Sequence, residues 1–132
     1  MSNSILISTQ GPAGPAGPQG PAGPEGSYDV ENSLTENGYQ KLPGGVILQW
    51  GRYATSITSE GAIPTITFPI QFPNACLNIV ANGINTANNA TRDLYIQPVS
   101  WTTSGVKFYA QAPHATTTYH RMDGFFWQAI GY

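Results

Sequence analysis

The chain has 132 residues and a formal net charge of −2, and only 9% of its residues are charged. Soluble domains usually carry roughly 25% charged residues, so amides and hydroxyls must supply much of the polar surface here. With five Lys and Arg and no basic run, the composition argues against nucleic acid binding. No apolar run approaches the roughly 18 residues of a membrane-spanning helix, which argues against membrane insertion.

Residues 1–10 are interpreted as a leader or attachment segment. Their apolar part is the short run Ile5, Leu6 and Ile7, without a basic region before it, so they do not fit a secretory signal. The single cysteine, Cys76, cannot form an intrachain disulfide and is interpreted as a buried structural thiol. These features predict a chain made in the cytoplasm without a signal peptide.

Residues 11–26 read GPAGPAGPQGPAGPEG, an unbroken Gly-X-Y register. Only glycine fits where three polyproline-II-like chains meet at the axis, so this period predicts a collagen-like triple helix and a homotrimer. A flexible Pro/Gly linker is the alternative, but linkers of that kind have no register. The predicted triple-helix glycines are Gly11, Gly14, Gly17, Gly20, Gly23 and Gly26.

Residues 27–38 are interpreted as a neck, and residues 39–132 as one folded head. In 105–112, Val106, Phe108 and Ala110 alternate with polar residues, a period of two that indicates a strand. Similar runs predict strands at 46–54, 65–72, 76–83, 93–100, 105–112 and 125–130. The expected fold class is all-β: an antiparallel β-sandwich head forming a homotrimer, preceded by a short collagen-like triple helix.

Three segments of the head resemble a known family: YQKLPGGVILQWG at 39–51, FPIQFPNAC at 68–76 and the ending FFWQAIGY. The chain resembles the C-terminal domain of phage and prophage tail fibre proteins, which is shared with R-type pyocin fibres. The resemblance implies a trimeric virion fibre tip that attaches to a bacterial surface glycan such as lipopolysaccharide. Members usually have a long β-structured shaft before the tip, whereas this chain has a short collagen-like rod.

Loops 82–93 and 112–124 are the expected receptor contacts, because variable loops between framing strands carry that role in the family. An exposed aromatic face can pack on a sugar ring while amides and guanidinium groups bond its hydroxyls. The alternative for Trp101 and Tyr119 is that they cap the core. The candidate receptor-binding residues are Asn85, Asn88, Asn89, Arg92, Trp101, His114, Tyr119, His120 and Arg121.

Catalysis is not expected. Cleaving a glycan takes two carboxylates about 5–10 Å apart, and the head offers only Glu60, Asp93 and Asp123, in different loops. Asp93 with Arg92, and Asp123 with Arg121, are interpreted as loop polar groups and turn formers.

No metal or cofactor is expected either. His114 and His120 lie six residues apart without cysteine or carboxylate ligands at a suitable spacing, so solvated or packed histidines are favoured. A three-fold axis would still allow one histidine from each chain to form a three-histidine site.

Two alternatives to receptor binding stay open. One is a structural virion protein, either a decoration fibre or a trimerisation cap, and the other is a bacterial spore-surface collagen-like protein. For a virion fibre, another virion protein is the expected partner of the N-terminus.

Overall fold

The computed structural model describes residues 11–21, 31–113 and 119–132. The expected triplet glycines Gly23 and Gly26, the leader 1–10 and the candidate His114 lie outside the described residues. Nine strands form in the described part, all paired antiparallel, which confirms the all-β prediction. They are β1 Asn32–Ser33, β2 Gly38–Lys41, β3 Ile47–Tyr53, β4 Gly61–Ala62, β5 Ile66–Thr67, β6 Cys76–Gly83, β7 Tyr95–Trp101, β8 Gly105–Gln111 and β9 Phe125–Gly131.

The strands form two sheets. The first sheet has the order β1-β2-β3-β9-β6. In the second sheet β4 and β5 pair with opposite ends of β8, and β7 pairs with β8 along its length. Strand β9, the last in sequence, lies between β3 and β6, so the C-terminal segment joins parts of the head that are far apart in sequence. In the described part of the chain no helix is long and apolar enough to cross a membrane.

The inward faces of β8 and β9 make the core. Phe108 and Phe125 have no exposed surface and meet edge to face at 4.9 Å between ring centroids. Trp127, on the same face of β9, packs against Phe68. A Cβ at Gly51 would lie 2.5 Å from the Trp127 ring, so the close approach of β3 to the indole requires glycine at that position.

A buried glutamine ties β3 to the segment before β6. Gln49 is fully buried; its Nε2 donates to the carbonyl of Ile70, and its Oε1 accepts from the N–H of Ile70, both at 2.9 Å. Pro69 and Pro73 interrupt strand pairing here because proline lacks an N–H to donate. The strand predicted at 65–72 is accordingly reduced to Ile66–Thr67, and Gln49 satisfies backbone groups that a ladder would otherwise pair.

Three short strands were not predicted. Strands β1, β2 and β4 have two to four residues each, too short for alternation to be read from the sequence. Asn32 and Ser33 pair with Gln40 and Tyr39, so strand pairing begins earlier in the chain than the expected head boundary at Tyr39.

The register defines two ends of the head. Gly131 of β9 pairs with Ile47 and Cys76, and we call this end the base. Phe125, at the other end of β9, pairs with Tyr53 and Gly83, and we call this the loop end. Seven residues of strand separate them by about 20 Å. The chain joins the head at the base, since the carbonyl of Glu31 accepts from the N–H of Lys41, which pairs with Ile47.

Candidate functional site

The carboxylate of Asp123 organises the loop end. One oxygen accepts the N–H and the hydroxyl of Thr86, each at 2.8 Å, and Nε of Arg92 at 2.9 Å. The other oxygen accepts Nε of Arg121 at 2.8 Å. The Asp123 side chain is only 7% exposed. Loop 84–93 and segment 119–124 are therefore held together by one nearly buried anion.

These donors shift the titration of Asp123. The backbone N–H of Thr86, its hydroxyl and the two guanidinium groups hold the pKa of the carboxyl far below its ordinary value of 3.8, against the opposing effect of burial. Each donor favours the charged form, which explains the direction. Asp123 is thus a fixed anion at neutral pH.

Backbone hydrogen bonds join the same two segments just below the carboxylate. The N–H of Asp123 donates to the carbonyl of Ile84, and the N–H of Ile84 donates to the carbonyl of Gly124, both at 2.8 Å. Gly124 has a φ of +124°, and a Cβ there would lie 2.3 Å from the carbonyl oxygen of Tyr53. Glycine is therefore required where the chain turns into β9.

Further contacts extend this arrangement. The side-chain oxygen of Asn89 accepts the N–H and hydroxyl of Thr91 at 3.1 and 2.6 Å, a local turn typical of asparagine. Nδ1 of His120 lies 2.9 Å from the Asp93 carboxylate. The His120 side chain is 11% exposed, and its Nε2 has no hydrogen-bond partner among the described atoms.

An open hollow of about 480 Å³ lies on loop 84–93. Its lining is almost entirely polar and comprises Asn85, Thr86, Ala87, Asn88, Asn89 and Arg92. Side-chain amides here can donate and accept, which suits a ligand rich in hydroxyl groups.

Most of the predicted contact residues meet at the loop end. Loop 84–93 holds Asn85, Asn88, Asn89 and Arg92, and segment 119–124 holds Tyr119, His120 and Arg121. Tyr119 is 86% exposed and therefore does not cap the core. The amides and Tyr119 face solvent, whereas Arg92 and His120 are partly buried in ion pairs.

The structure does not bring Trp101 to the same place. It ends β7 at the base, where Thr103 of the following turn accepts from the N–H of Phe72. Trp101 is 54% exposed and lines a groove of about 300 Å³ with Lys107 and several hydroxyl side chains. The sequence could not show the distance between Trp101 and the loop residues. That distance arises because β7 is extended along β8, with Tyr95 at one end and Trp101 at the other.

The acidic loop residues keep one of the two expected pairings, that of Asp123 with Arg121. Asp123 pairs with both arginines, and Asp93 pairs with His120 rather than with Arg92. Thr86, which donates twice to Asp123, was missed altogether. The sequence holds only a weak indication of the contact between Thr86 and Asp123: Thr86 lies among the asparagines of 85–89, and Asp123 directly precedes a glycine.

The thiol of Cys76 and the grouping of metal-ligand residue types also bear on chemical activity. Cys76 is half-buried, and burial raises the pKa of its thiol, which lowers the thiolate fraction at neutral pH. In the described part of the chain no three His, Cys, Asp or Glu side chains cluster as metal ligands.

Comparison with known proteins gives a family match and a curated relative. Residues 41–132 match the family model of the C-terminal domain of gp53-like tail fibre proteins. The chain is 40% identical over 113 residues to an uncharacterized protein of Methanocaldococcus jannaschii, covering 80% of this chain and 70% of that protein.

The head is also similar to solved structures of tail fibres. An N-truncated R1-type pyocin tail fibre is similar with a TM-score of 0.59 and 28% identity, over 78% of this chain and 85% of that one. A C-terminal fragment of the Pseudomonas aeruginosa R2 pyocin fibre is similar with a TM-score of 0.60 and 26% identity, over 78% of this chain and 26% of that one.

Proposed function

The chain belongs to the family of gp53-like tail fibre C-terminal domains, and we propose that its head is a trimeric virion tail fibre tip that binds a bacterial surface glycan without catalysis. The observation that carries the proposal is the position of the loop end. The polar loops lie about 20 Å of strand away from the base, where Glu31, the first described residue of the head, bonds to Lys41. A fibre attached through its N-terminal side would therefore present these loops to a host cell.

The glycine spacing of the rod favours an assembly of three chains. In residues 11–21 every residue is exposed, and a Cβ at Gly11, Gly14, Gly17 or Gly20 would have no atom within 4 Å. Within the described part of one chain, nothing therefore requires glycine at Gly11, Gly14, Gly17 or Gly20. Crowding from two further chains at a common axis would require it.

The outer face of the first sheet supports the same arrangement. Leu48 and Ile130 pair across β3 and β9, and with Val80 they line a hollow of about 230 Å³. Val80 and Phe126 remain 48% and 53% exposed. Strands β6 and β9 contain no charged residue, so we assign this face to contacts between copies of the chain.

The described carboxylates support a non-catalytic role. Asp123 accepts four hydrogen bonds, Asp93 pairs with His120, and Glu60 accepts from Tyr109 and Gln111. A glycosidase needs one carboxyl free to donate a proton and a second one opposite it. The engaged groups fit a surface that binds rather than cleaves.

Binding to whole bacteria tests the assignment of the loop end. Labelled full-length protein would be incubated with a panel of Gram-negative strains, and bound fluorescence measured by flow cytometry. We expect Asn88→Ala and Tyr119→Ala to lower binding. Asn74→Ala and Tyr132→Ala are matched controls at the base and should bind as the wild type does. An equal loss of binding in both pairs of variants, or no loss in either pair, contradicts the assignment of the loop end as the receptor contact.

The structural alternative makes a different prediction. A decoration fibre or trimerisation cap needs its head only to hold three chains together. Replacement of residues 85–89 by a short Gly/Ser loop would then leave the protein's function in the particle intact. In the receptor-binding proposal the same replacement abolishes adsorption of the particle while the trimer persists.

A further inference from the structure

A groove at the base lies on the outer side of the second sheet, about 20 Å of strand from the loop end. Its volume is about 300 Å³. Lining side chains come from β5 and the residue before it, from β7, from β8 and from the turn between β7 and β8. They include Thr65, Thr67, Ser100, Trp101, Ser104 and Lys107. We propose that this groove binds an anionic saccharide, with the sugar ring against Trp101 and its phosphate or carboxylate against Lys107.

Lys107 is an unusual cation in this protein. The chain has five Lys and Arg residues, and the other four lie within 4 Å of a carboxylate: Lys41 with Glu31, Arg52 with Glu36, and both Arg92 and Arg121 with Asp123. Lys107 has no such partner among the described residues. With so few charges available, an ammonium group left beside a groove points to an anion supplied from outside.

Trp101 provides the second element of recognition. It pairs with Val106 at the end of β7, where its side chain stays 54% exposed instead of joining the core. An indole face packs against the C–H groups of a sugar ring, while the hydroxyls of that ring remain free for hydrogen bonds. Exposure of so large a side chain costs solvation free energy unless a ligand covers it.

The hydroxyl side chains complete the chemistry. Thr65, Thr67 and Ser100 are exposed, and their hydroxyls have no hydrogen-bond partner among the described residues. Each can both donate to and accept from a sugar hydroxyl. The turn beneath them is fixed, since the Thr102 hydroxyl accepts from the N–H of Ser104 at 3.1 Å. The groove is therefore shaped before a ligand arrives.

This inference goes beyond the proposed function, because it names a second site and the charge of its ligand. It does not require the loop end to contact a receptor. Binding at the groove and binding of cells through Asn88 and Tyr119 can fail separately, so the two are distinguishable.

Nuclear magnetic resonance of the ¹⁵N-labelled full-length protein tests the inference. The probes are N-acetylglucosamine 6-phosphate, N-acetylglucosamine and inorganic phosphate. We expect the phosphorylated sugar to shift the Trp101 indole N–H and the amides of 102–107. Its affinity should exceed that of the neutral sugar by about tenfold, and should fall as salt screens the ammonium.

Variants identify the groups responsible. Lys107→Gln should lower the affinity for the phosphorylated sugar to that for the neutral sugar, and Lys107→Arg should largely preserve it. Trp101→Ala should weaken both sugars. Lys41→Gln, at a paired lysine, is the matched control and should change nothing.

Several outcomes would overturn the inference. They are equal affinity for the two sugars, inorganic phosphate binding as tightly as the sugar phosphate, and an unaltered titration in Lys107→Gln. Dissociation of the trimer in Trp101→Ala, measured by sedimentation, would assign the groove instead to a contact between copies.

Discussion

Asp123 holds Thr86 by both of its donors, the backbone N–H and the hydroxyl, each at 2.8 Å from the same carboxylate oxygen. The two residues are 37 positions apart in sequence. Their contact joins the loop before β7 to the segment before β9, so it decides whether the asparagines of loop 84–93 keep their arrangement. The affinity of the loop end should depend on this preorganisation.

Asp123→Asn is expected to loosen loop 84–93 without unfolding the head. An amide keeps one acceptor oxygen but loses the negative charge that both arginines pair with. Its NH₂ group would face the donors on one side, either Nε of Arg121 or the donors of Thr86 and Arg92. Hydrogen exchange of amides 84–92 should accelerate while exchange in β8 and β9 is unchanged. Glu60→Gln changes an exposed carboxylate on the second sheet and should leave loop exchange as it was.

Acid should weaken the loop end through the same carboxylate. Its pKa is lowered in the folded protein relative to the ordinary value of 3.8, so the unfolded chain binds the proton more readily. The contribution of Asp123 to the stability of the folded protein is complete above the pKa of the unfolded state. It is lost as the pH falls toward the pKa of the folded state. The melting temperatures of wild type and Asp123→Asn, measured from pH 7 to 2, should converge as the pH drops below about 4. A constant difference would contradict this linkage.

Gln49→Leu should destabilise the head by about 1–3 kcal/mol, because it leaves the part-buried N–H and carbonyl of Ile70 without their partners. Urea denaturation followed by tryptophan fluorescence measures the change. Gln97→Leu, at an exposed position of β7, removes a longer contact of 3.4 Å to Gln111 and should cost much less. Similar effects of the two substitutions would contradict the account of Gln49.

A matched pair of valines tests the proposed contact between copies. Val80 on the first sheet is 48% exposed, and Val99 on β7 is 53% exposed. Val80→Glu buries a charge if the outer face of the first sheet is covered, so the trimer should dissociate. Val99→Glu should leave it intact. Sedimentation equilibrium measures the oligomeric state of both variants. Dissociation in Val99→Glu but not in Val80→Glu would place the contact between copies on the β7 side.

Gly17→Ala tests the triple helix. Within one chain the added methyl group meets nothing within 4 Å, so an isolated chain should tolerate it. In a triple helix it would crowd the axis and lower the melting temperature of the rod, followed by circular dichroism. Ala16→Gln is the control, because glutamine already occupies the equivalent place in the triplet at Gln19. Equal melting of both variants would favour the linker interpretation.

Much of the sheet structure could be predicted from period-two alternation. Phe125, Trp127 and Ala129 face inward in β9, as Val106 and Phe108 do in β8. The short strands could not be predicted, because two to four residues are too few to show a period. Their pairing, such as Asn32 with Gln40, depends on partners already in place.

Composition was enough to predict several residues of the candidate site, but not their arrangement in space. Loops rich in asparagine gave Asn85, Asn88 and Asn89, and the structure places them around one hollow. The separation of Trp101 follows from the register of β7 with β8, which no local pattern reveals. The role of Asp123 depends on donors from two distant segments and could not be read from its neighbours.

Binding of the full-length protein to paired bacterial strains, with and without their surface polysaccharide, tests the central claim most directly. Wild type, an Asn88→Ala/Tyr119→Ala double variant and an Asn74→Ala/Tyr132→Ala control would be compared at equal protein concentration. We predict saturable binding that requires the polysaccharide, is lost in the loop-end variant and is retained in the control. Binding that is indifferent to the polysaccharide, or equal for the two double variants, would contradict the account.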